Sequence, residues 1–592
     1  MKQFFGAFFG SILGILITGI VMALIIAASI AGLVSKAQSF GKEEVTTVTE
    51  NSVLHLHLNG EIKERGVKAP FDKIDIAPFL PKSVIGINDI LQSLNNAKTD
   101  KNIKGIYLEI SDPAAGFATL EEIRNAILDF KSSGKFVYAY SEVYSQKAYY
   151  LASASTKCFL NPQGEMEIKG LSSQIMFYKN MLEKLNVEVQ IFRHGKFKSA
   201  IEPFMLDKMS DANRAQIETY LGSLWNHMID GISKSRSISV DEINSIANNL
   251  AVKSPEDAVK YKFIDELKYE DEVLNAIKKL VGTQEKDKLN FTNLEDYTPT
   301  VKANTSSKNS IAVIYAVGEI VSGKGDADDK MGSERIVQAI RKARLDDNVK
   351  AIVFRVNSPG GSALASDVMW RECVLAKKAK PFIVSMGDVA ASGGYYISCA
   401  ADRIFALPNT ITGSIGVFGM IPNAQKALAE KLGITIDTVN TNKHSDVGTI
   451  LRGVTSDEHE YVQQSVEHIY DVFITKVAEG RKTTKNMIDS IGQGRVWSGA
   501  DAIKINLVDE LGGINAAITY AAKMAKVSDY KLVDYPKQRD ALEEILSSSK
   551  DEMESRYMKT DLKQYYNYVK QIKNAINIKG VQARLPYEMI VE

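Results

Sequence analysis

The chain has 592 residues, 45% hydrophobic and 24% charged, which suits a globular protein of more than one domain. Lysine plus arginine equal aspartate plus glutamate at 72 each, so the charge gives no case for nucleic acid as a partner. Cys158, Cys373 and Cys399 show neither ligand spacing nor a disulfide framework. His55 and His57 alternate on an expected strand, and His459-Glu460 lacks a second histidine in zincin register. With no GxxxxGKS/T loop either, neither metal nor cofactor is expected.

Residues 3–35 carry no charge. A membrane span takes about 20 apolar residues and a cleavable signal core about 7–15, so this run predicts a transmembrane anchor over residues 1–40. Gly6, Gly10 and Gly14 have the small-xxx-small spacing that allows close helix approach. Lys2 before the run and Lys36, Lys42 and Glu43 after it do not decide its orientation.

The body then repeats itself. Asn51-Ser52-Val53 and Gly60-Glu61-Ile62 resemble Asn309-Ser310-Ile311 and Gly318-Glu319-Ile320. Asn102 matches Asn348, Pro113 matches Pro359, Tyr149-Tyr150 match Tyr395-Tyr396, Pro162 matches Pro408 and Gly170 matches Gly416, each pair 246 residues apart. Ile264-Asp265-Glu266-Leu267 answers Val508-Asp509-Glu510-Leu511. The reading is two tandem copies of one domain, 41–283 and 309–538, joined by a polar linker, 284–308, and followed by a helical tail, 539–592. Residues 63–83, with Pro70, Pro78 and Pro81, are an insertion in the first copy.

In the second copy, residues 351–356 read as a buried strand, 357–361 as its turn and 365–378 as an amphipathic helix. Residues 381–386 read as the next strand, 388–394 as a turn, 395–401 as a helix and 403–407 as a third strand. Strands alternating with helices predict a parallel α/β fold, with sites at the carboxyl ends of strands. Both glycine-bearing turns lie at such ends.

Ser392 stands between Ala391 and Gly393-Gly394. Small neighbours leave its hydroxyl open to a substrate, and glycines let backbone N–H groups approach a reacting carbonyl. The first copy has lost this chemistry. Gly360-Gly361 become Ala114-Ala115, Ser392 becomes Gln146, and Gly393-Gly394 become Lys147-Ala148. A serine nucleophile needs a proton acceptor, and no histidine is placed for it. The first copy offers a basic loop with Arg193, Lys196 and Lys198, and past a one-residue insertion Lys198 falls opposite Ser445. On the residues alone, Lys198, Lys196 and a merely solvated basic loop all stay open.

Four motifs together resemble a known family: Asn357-Ser358-Pro359-Gly360-Gly361-Ser362, Ala390-Ala391-Ser392-Gly393-Gly394-Tyr395-Tyr396, Thr412-Gly413-Ser414-Ile415-Gly416-Val417 and Lys196-Phe197-Lys198-Ser199-Ala200-Ile201-Glu202-Pro203-Phe204. They are similar to peptidase family S49, the signal peptide peptidase A family, in its long duplicated form. The resemblance implies tandem crotonase/ClpP-like α/β domains behind the anchor. It implies a serine–lysine dyad with Ser392 as nucleophile and Lys198 as general base. Backbone N–H groups of Gly360, Gly361 and Gly393 would form the oxyanion hole. Phe197, Ile201 and Phe204 would supply the apolar pocket that a lysine base needs.

The resemblance further implies a serine endopeptidase acting on cleaved signal peptides and other unfolded peptides. It implies a homotetramer, held to membrane lipid by a single-pass helix in the bacterial inner (cytoplasmic) membrane, with its catalytic body on the periplasmic side. A crotonase-type acyl-CoA enzyme and an inactive scaffold or chaperone would keep the same fold and are the competing expectations.

Overall fold

The computed structural model describes residues 14, 17–19, 21–22, 48–67, 83–300, 306–325, 330–538 and 581–585. Most of the expected anchor, most of the 63–83 insertion and nearly all of the expected tail lie outside these residues. Among the described residues no helix is long and apolar enough to cross a membrane.

Each copy builds a parallel sheet. The first runs in the order Phe291–Asn293, Ser52–His57, Ile103–Glu109, Phe136–Tyr144, Lys157–Met166, Glu266–Leu267. The second centres on Ser310–Val317, Val349–Ser358 and Phe382–Ala391, also parallel. Strand starts keep the offset of 246 seen in the sequence: 103 and 349, 136 and 382, 157 and 403. Val349–Ser358 is buried along nearly all its length, as a parallel strand covered on both faces must be.

Two elements differ from the sequence reading. The strand expected to stop at Met386 runs on to Ala391. Its first half pairs with Arg403–Ala406 and its last residues with Ile411–Gly413, so a second partner carries it up to Ser392. The segment expected to be a polar linker is partly sheet, since Phe291–Asn293 pairs with Ser52–His57 as an edge strand.

A third sheet ties the copies together. Its order is Lys330–Gly332, Glu319–Val321, Gly360–Ser362, Gln582–Arg584, Val417–Asn423, Glu188–His194. Glu188–His194 of the first copy runs antiparallel to Val417–Asn423 of the second over seven paired residues. The chain leaves that strand four residues before Lys198, which delivers the first copy's lysine to the second copy.

Buried charge also joins the copies. Arg355 is fully buried and donates to Glu64 at 2.8 Å and to Glu122 at 3.0 Å. The Asp388 carboxylate accepts from Thr119 N at 2.8 Å and from Thr119 Oγ1 at 2.6 Å. Burial pushes the Glu64 carboxyl above its usual range, and Arg355 opposes that push. Removing one partner from such a cluster strands the others, at about 3–5 kcal/mol. Arg355→Met is therefore expected to destabilise by that amount in denaturant melts. The deficit should shrink as pH falls, because a stranded Glu64 with a raised pKa can then take up a proton.

Candidate active site

Ser392 sits at the junction of the Phe382–Ala391 strand and the Gly393–Ser398 helix. Its backbone has φ 54° and ψ −113°, a conformation that a non-glycine residue adopts only under strain. Ser392 N donates to Gly413 O at 2.8 Å, and Ser392 O accepts from Tyr396 N at 2.8 Å. A serine at the start of a helix ordinarily caps it with its side chain. Here Oγ makes no capping bond and faces Lys198 instead.

Lys198 Nζ lies 2.8 Å from Ser392 Oγ. Its other partners are Ser414 Oγ at 3.1 Å and Ser414 O at 3.2 Å. Neither Lys198 nor Ser392 has any solvent exposure. Burial holds the Lys198 ammonium well below the usual lysine range, and the three partner atoms are all uncharged. A neutral amine has two protons and one lone pair. With both protons given to Ser414, the lone pair faces Ser392 and can accept its proton.

The lysine is buried by close backbone contact as much as by apolar side chains. A Cβ on Gly494 would lie 2.5 Å from Lys198 N, and one on Gly416 would lie 3.2 Å from Lys198 Cδ. Phe197 N donates to Gln493 O at 3.0 Å. Gln216 Nε2 donates to Phe197 O at 3.1 Å and to Ser199 Oγ at 3.0 Å. Ile201 is buried against Phe418, but Phe204 is half-buried and stacks on Tyr178, so of the expected apolar neighbours Phe204 packs elsewhere. Lys196, the rival lysine, is exposed, with its ammonium over the Phe197 ring.

The glycines divide. Gly360 has φ 97°, and a Cβ there would lie 2.8 Å from Gly393 N, so these two backbones meet beside Ser392. Gly361 has φ 153°, and its Cβ position falls 2.1 Å from Ile320 O, facing the neighbouring strand. In the first copy the equivalent turn is sealed. Gln146 accepts from Lys169 N and Gly170 N, each at 2.9 Å, and donates to Gly170 O at 2.9 Å.

Ser414 is the residue that sequence reasoning missed. It lay inside the Thr412-to-Val417 motif without a role, and its φ of 49° marks a second strained serine. Ser414→Ala would leave a buried Nζ proton unpaired, at about 1–3 kcal/mol. The expected result is a roughly 10–100-fold loss of kcat with KM little changed, read in steady-state peptide hydrolysis.

Among the described residues the structure brings together one group of metal-ligand type that the sequence reading did not assemble. His55, His57 and Glu109 place ligand atoms within 4.8 Å of one another. His55 Nε2 and Glu109 Oε2 lie 2.9 Å apart, so a hydrogen bond accounts for the contact.

The model of Peptidase family S49 matches residues 129–284 and 375–528. The chain is 38% identical over 473 residues to Protease 4 of Salmonella typhi, covering 78% of this chain and 75% of that one. It is 33% identical over 510 residues to the chloroplastic serine protease SPPA of Arabidopsis thaliana, covering 84% and 73%. Among solved structures, a mutant ClpP1 of Listeria monocytogenes aligns with a TM-score of 0.24 at 15% identity, covering 35% of this chain and 94% of that one. With the family model matched in both copies and relatives of this identity over most of the chain, the protein belongs to peptidase family S49 and is a serine peptidase.

Proposed function

We propose that the protein is a membrane-anchored endopeptidase in which Ser392 and Lys198 act as a dyad on cleaved signal peptides and other unfolded chains. The observation that carries this reading is the 2.8 Å contact between Lys198 Nζ and Ser392 Oγ, both without solvent exposure. Neutral Lys198 takes the hydroxyl proton as Oγ attacks a peptide carbonyl. It then gives that proton to the leaving amine and activates the hydrolytic water. Backbone N–H groups of Gly393 and the Gly360-Gly361 turn receive the developing oxyanion. The uncharged run at 3–35 is long enough for a single-pass anchor, and the family resemblance alone supports placing it in the bacterial inner membrane with the body on the periplasmic side. A homotetramer with sites facing inward would admit extended chains and spare folded proteins.

The test is a serine-reactive phosphonate on the full chain in detergent, with the labelled residue mapped by mass spectrometry and hydrolysis of an unstructured peptide followed in parallel. Labelling at Ser392 that abolishes hydrolysis is expected. A chain that neither labels at Ser392 nor hydrolyses the peptide would be the scaffold, and the proposal would fall.

A further inference from the structure

One turn of the second copy is wedged between the two segments that set the state of Lys198. The turn is Gln493-Gly494-Arg495, just after the Lys485–Ile491 helix. Gln493 has φ 51°, in the left-handed region that a residue with a side chain enters only when its surroundings hold it there. On one side the turn meets the lysine loop. Gln493 O accepts from Phe197 N at 3.0 Å, and a Cβ on Gly195 would lie 2.5 Å from that same oxygen. On the other side it meets the Ser414 turn. Arg495 O accepts from Ser414 N at 2.7 Å, and Gly494 N donates to Ile415 O at 2.7 Å. Ser414 in turn holds Lys198 Nζ through its hydroxyl and its carbonyl. Between the two contacts, a Cβ on Gly494 would lie 2.5 Å from Lys198 N, so backbone packed on backbone excludes water from that side of the lysine.

Tyr470 anchors this turn. It is a buried residue of the Ser456–Arg481 helix. Its hydroxyl accepts from Gln493 N at 3.2 Å and donates to Asp489 Oδ1 at 2.6 Å. A phenol has one proton and a carboxylate only accepts, so Asp489 takes that proton and leaves the oxygen lone pairs facing the Gln493 amide. Burial, with the Asp489 carboxylate beside it, pushes the phenol well above its ordinary range and keeps it protonated. The Tyr470 ring also stacks on His194 with centroids 3.8 Å apart. His194 ends the strand that brings Lys198 across, and it pairs with Glu467, one turn before Tyr470 on the same helix. One side chain thus touches both the strand that delivers the lysine and the turn that covers it.

We propose that Tyr470 is a positioning residue for the dyad, its hydroxyl anchoring the 493–495 turn against Lys198 so that the base stays dry and neutral. The proposal rests on the dyad reading above. Tyr470 acts through the turn and the lysine, not on the reacting atoms. Burial is what lowers the Lys198 pKa, so a loosened turn that lets water reach the amine raises it toward the ordinary lysine value.

The test is Tyr470→Phe, which removes one oxygen and keeps the ring against His194. The rate at which a serine-reactive phosphonate modifies Ser392 is followed against pH on the full chain in detergent, with kcat, KM and thermal melts on the same samples. The inflection is expected to move up by about one pH unit, so that the rate below it falls about tenfold and recovers above it, with KM little changed. Tyr149→Phe is the control. It removes an equally buried phenol, one that donates to Phe263 O at 2.7 Å in the first copy, and is expected to lower the melting temperature and leave the inflection in place. Asp489→Ala, at a half-buried position, frees the phenol and is expected to move the inflection in the same direction by less. A Tyr470→Phe chain with the wild-type inflection, whether or not its activity falls, overturns the proposal and leaves the dyad standing. If Tyr470→Phe does not fold, an unmoved inflection in Asp489→Ala overturns it in the same way. A Tyr149→Phe chain that moves the inflection as far as Tyr470→Phe does also overturns it. A wild type without the inflection overturns the dyad reading and this proposal with it.

Discussion

Ser392→Ala is expected to lower kcat for peptide hydrolysis by about a million-fold, the scale on which removal of a serine nucleophile acts. The loss should fall on kcat, because Oγ makes its bond to the substrate only during reaction. The fold should survive. The Ser392 hydroxyl caps no helix, and the backbone bonds that hold the turn, Ser392 N to Gly413 O and Tyr396 N to Ser392 O, need no side chain. The strain at φ 54° is as large for alanine as for serine, so it is unchanged by the substitution. Thermal melts checked against activity separate the two effects. A variant that keeps more than about a hundredth of wild-type kcat would contradict the assignment.

Lys198→Met is expected to lower kcat by about 10²–10⁴-fold, the contribution of a positioned proton acceptor. It should also raise stability at neutral pH. Burial keeps Lys198 far below its usual pKa, while in the unfolded chain it remains protonated up to about 10.4. Between those two values the unfolded state binds the extra proton, so wild-type stability rises with pH and the lysine's penalty fades. Below the folded value the penalty is complete. Methionine carries no such penalty, so its advantage should be greatest at low pH and disappear above about pH 10.4. A loss of activity accompanied by a gain in stability is the mark of a residue held in place for chemistry. Melting temperatures from pH 6 to 10 for the two proteins provide the check.

Much of this was legible because the chain repeats. The offset of 246 that pairs Tyr149 with Tyr395 reappears in the strand starts, and Tyr149 and Tyr395 both donate to backbone carbonyls, of Phe263 and Leu507. The loss of the serine and glycines in the first copy was equally plain, and Gln146 fills the space they left. The strand end at Ala391 was hidden because Gly387 and Asp388 look like a turn. A second strand, Ile411–Gly413, pairs with that stretch, and nothing local in the sequence announces a distant partner. Ser414 was hidden for the same reason, since its role depends on a lysine more than two hundred residues upstream. Phe204 was misjudged because nearness to Lys198 in the sequence does not reveal that Tyr178 claims its ring. The third sheet, which carries Lys198 across to the other copy, joins short strands from distant parts of the chain and has no periodic signature of its own.

In the proposed dyad Lys198, supplied by the first copy and buried against the second, activates Ser392 of the second. The rate at which a serine-reactive phosphonate modifies Ser392, measured against pH in wild type and Lys198→Ala, tests it most directly. The wild-type rate should fall as pH drops through a single ionisation well below the usual lysine value of about 10.4, because only the neutral amine accepts the proton. Lys198→Ala should react at least about a hundredfold more slowly and lose that inflection. A variant that keeps the wild-type rate and the same pH profile would contradict the account.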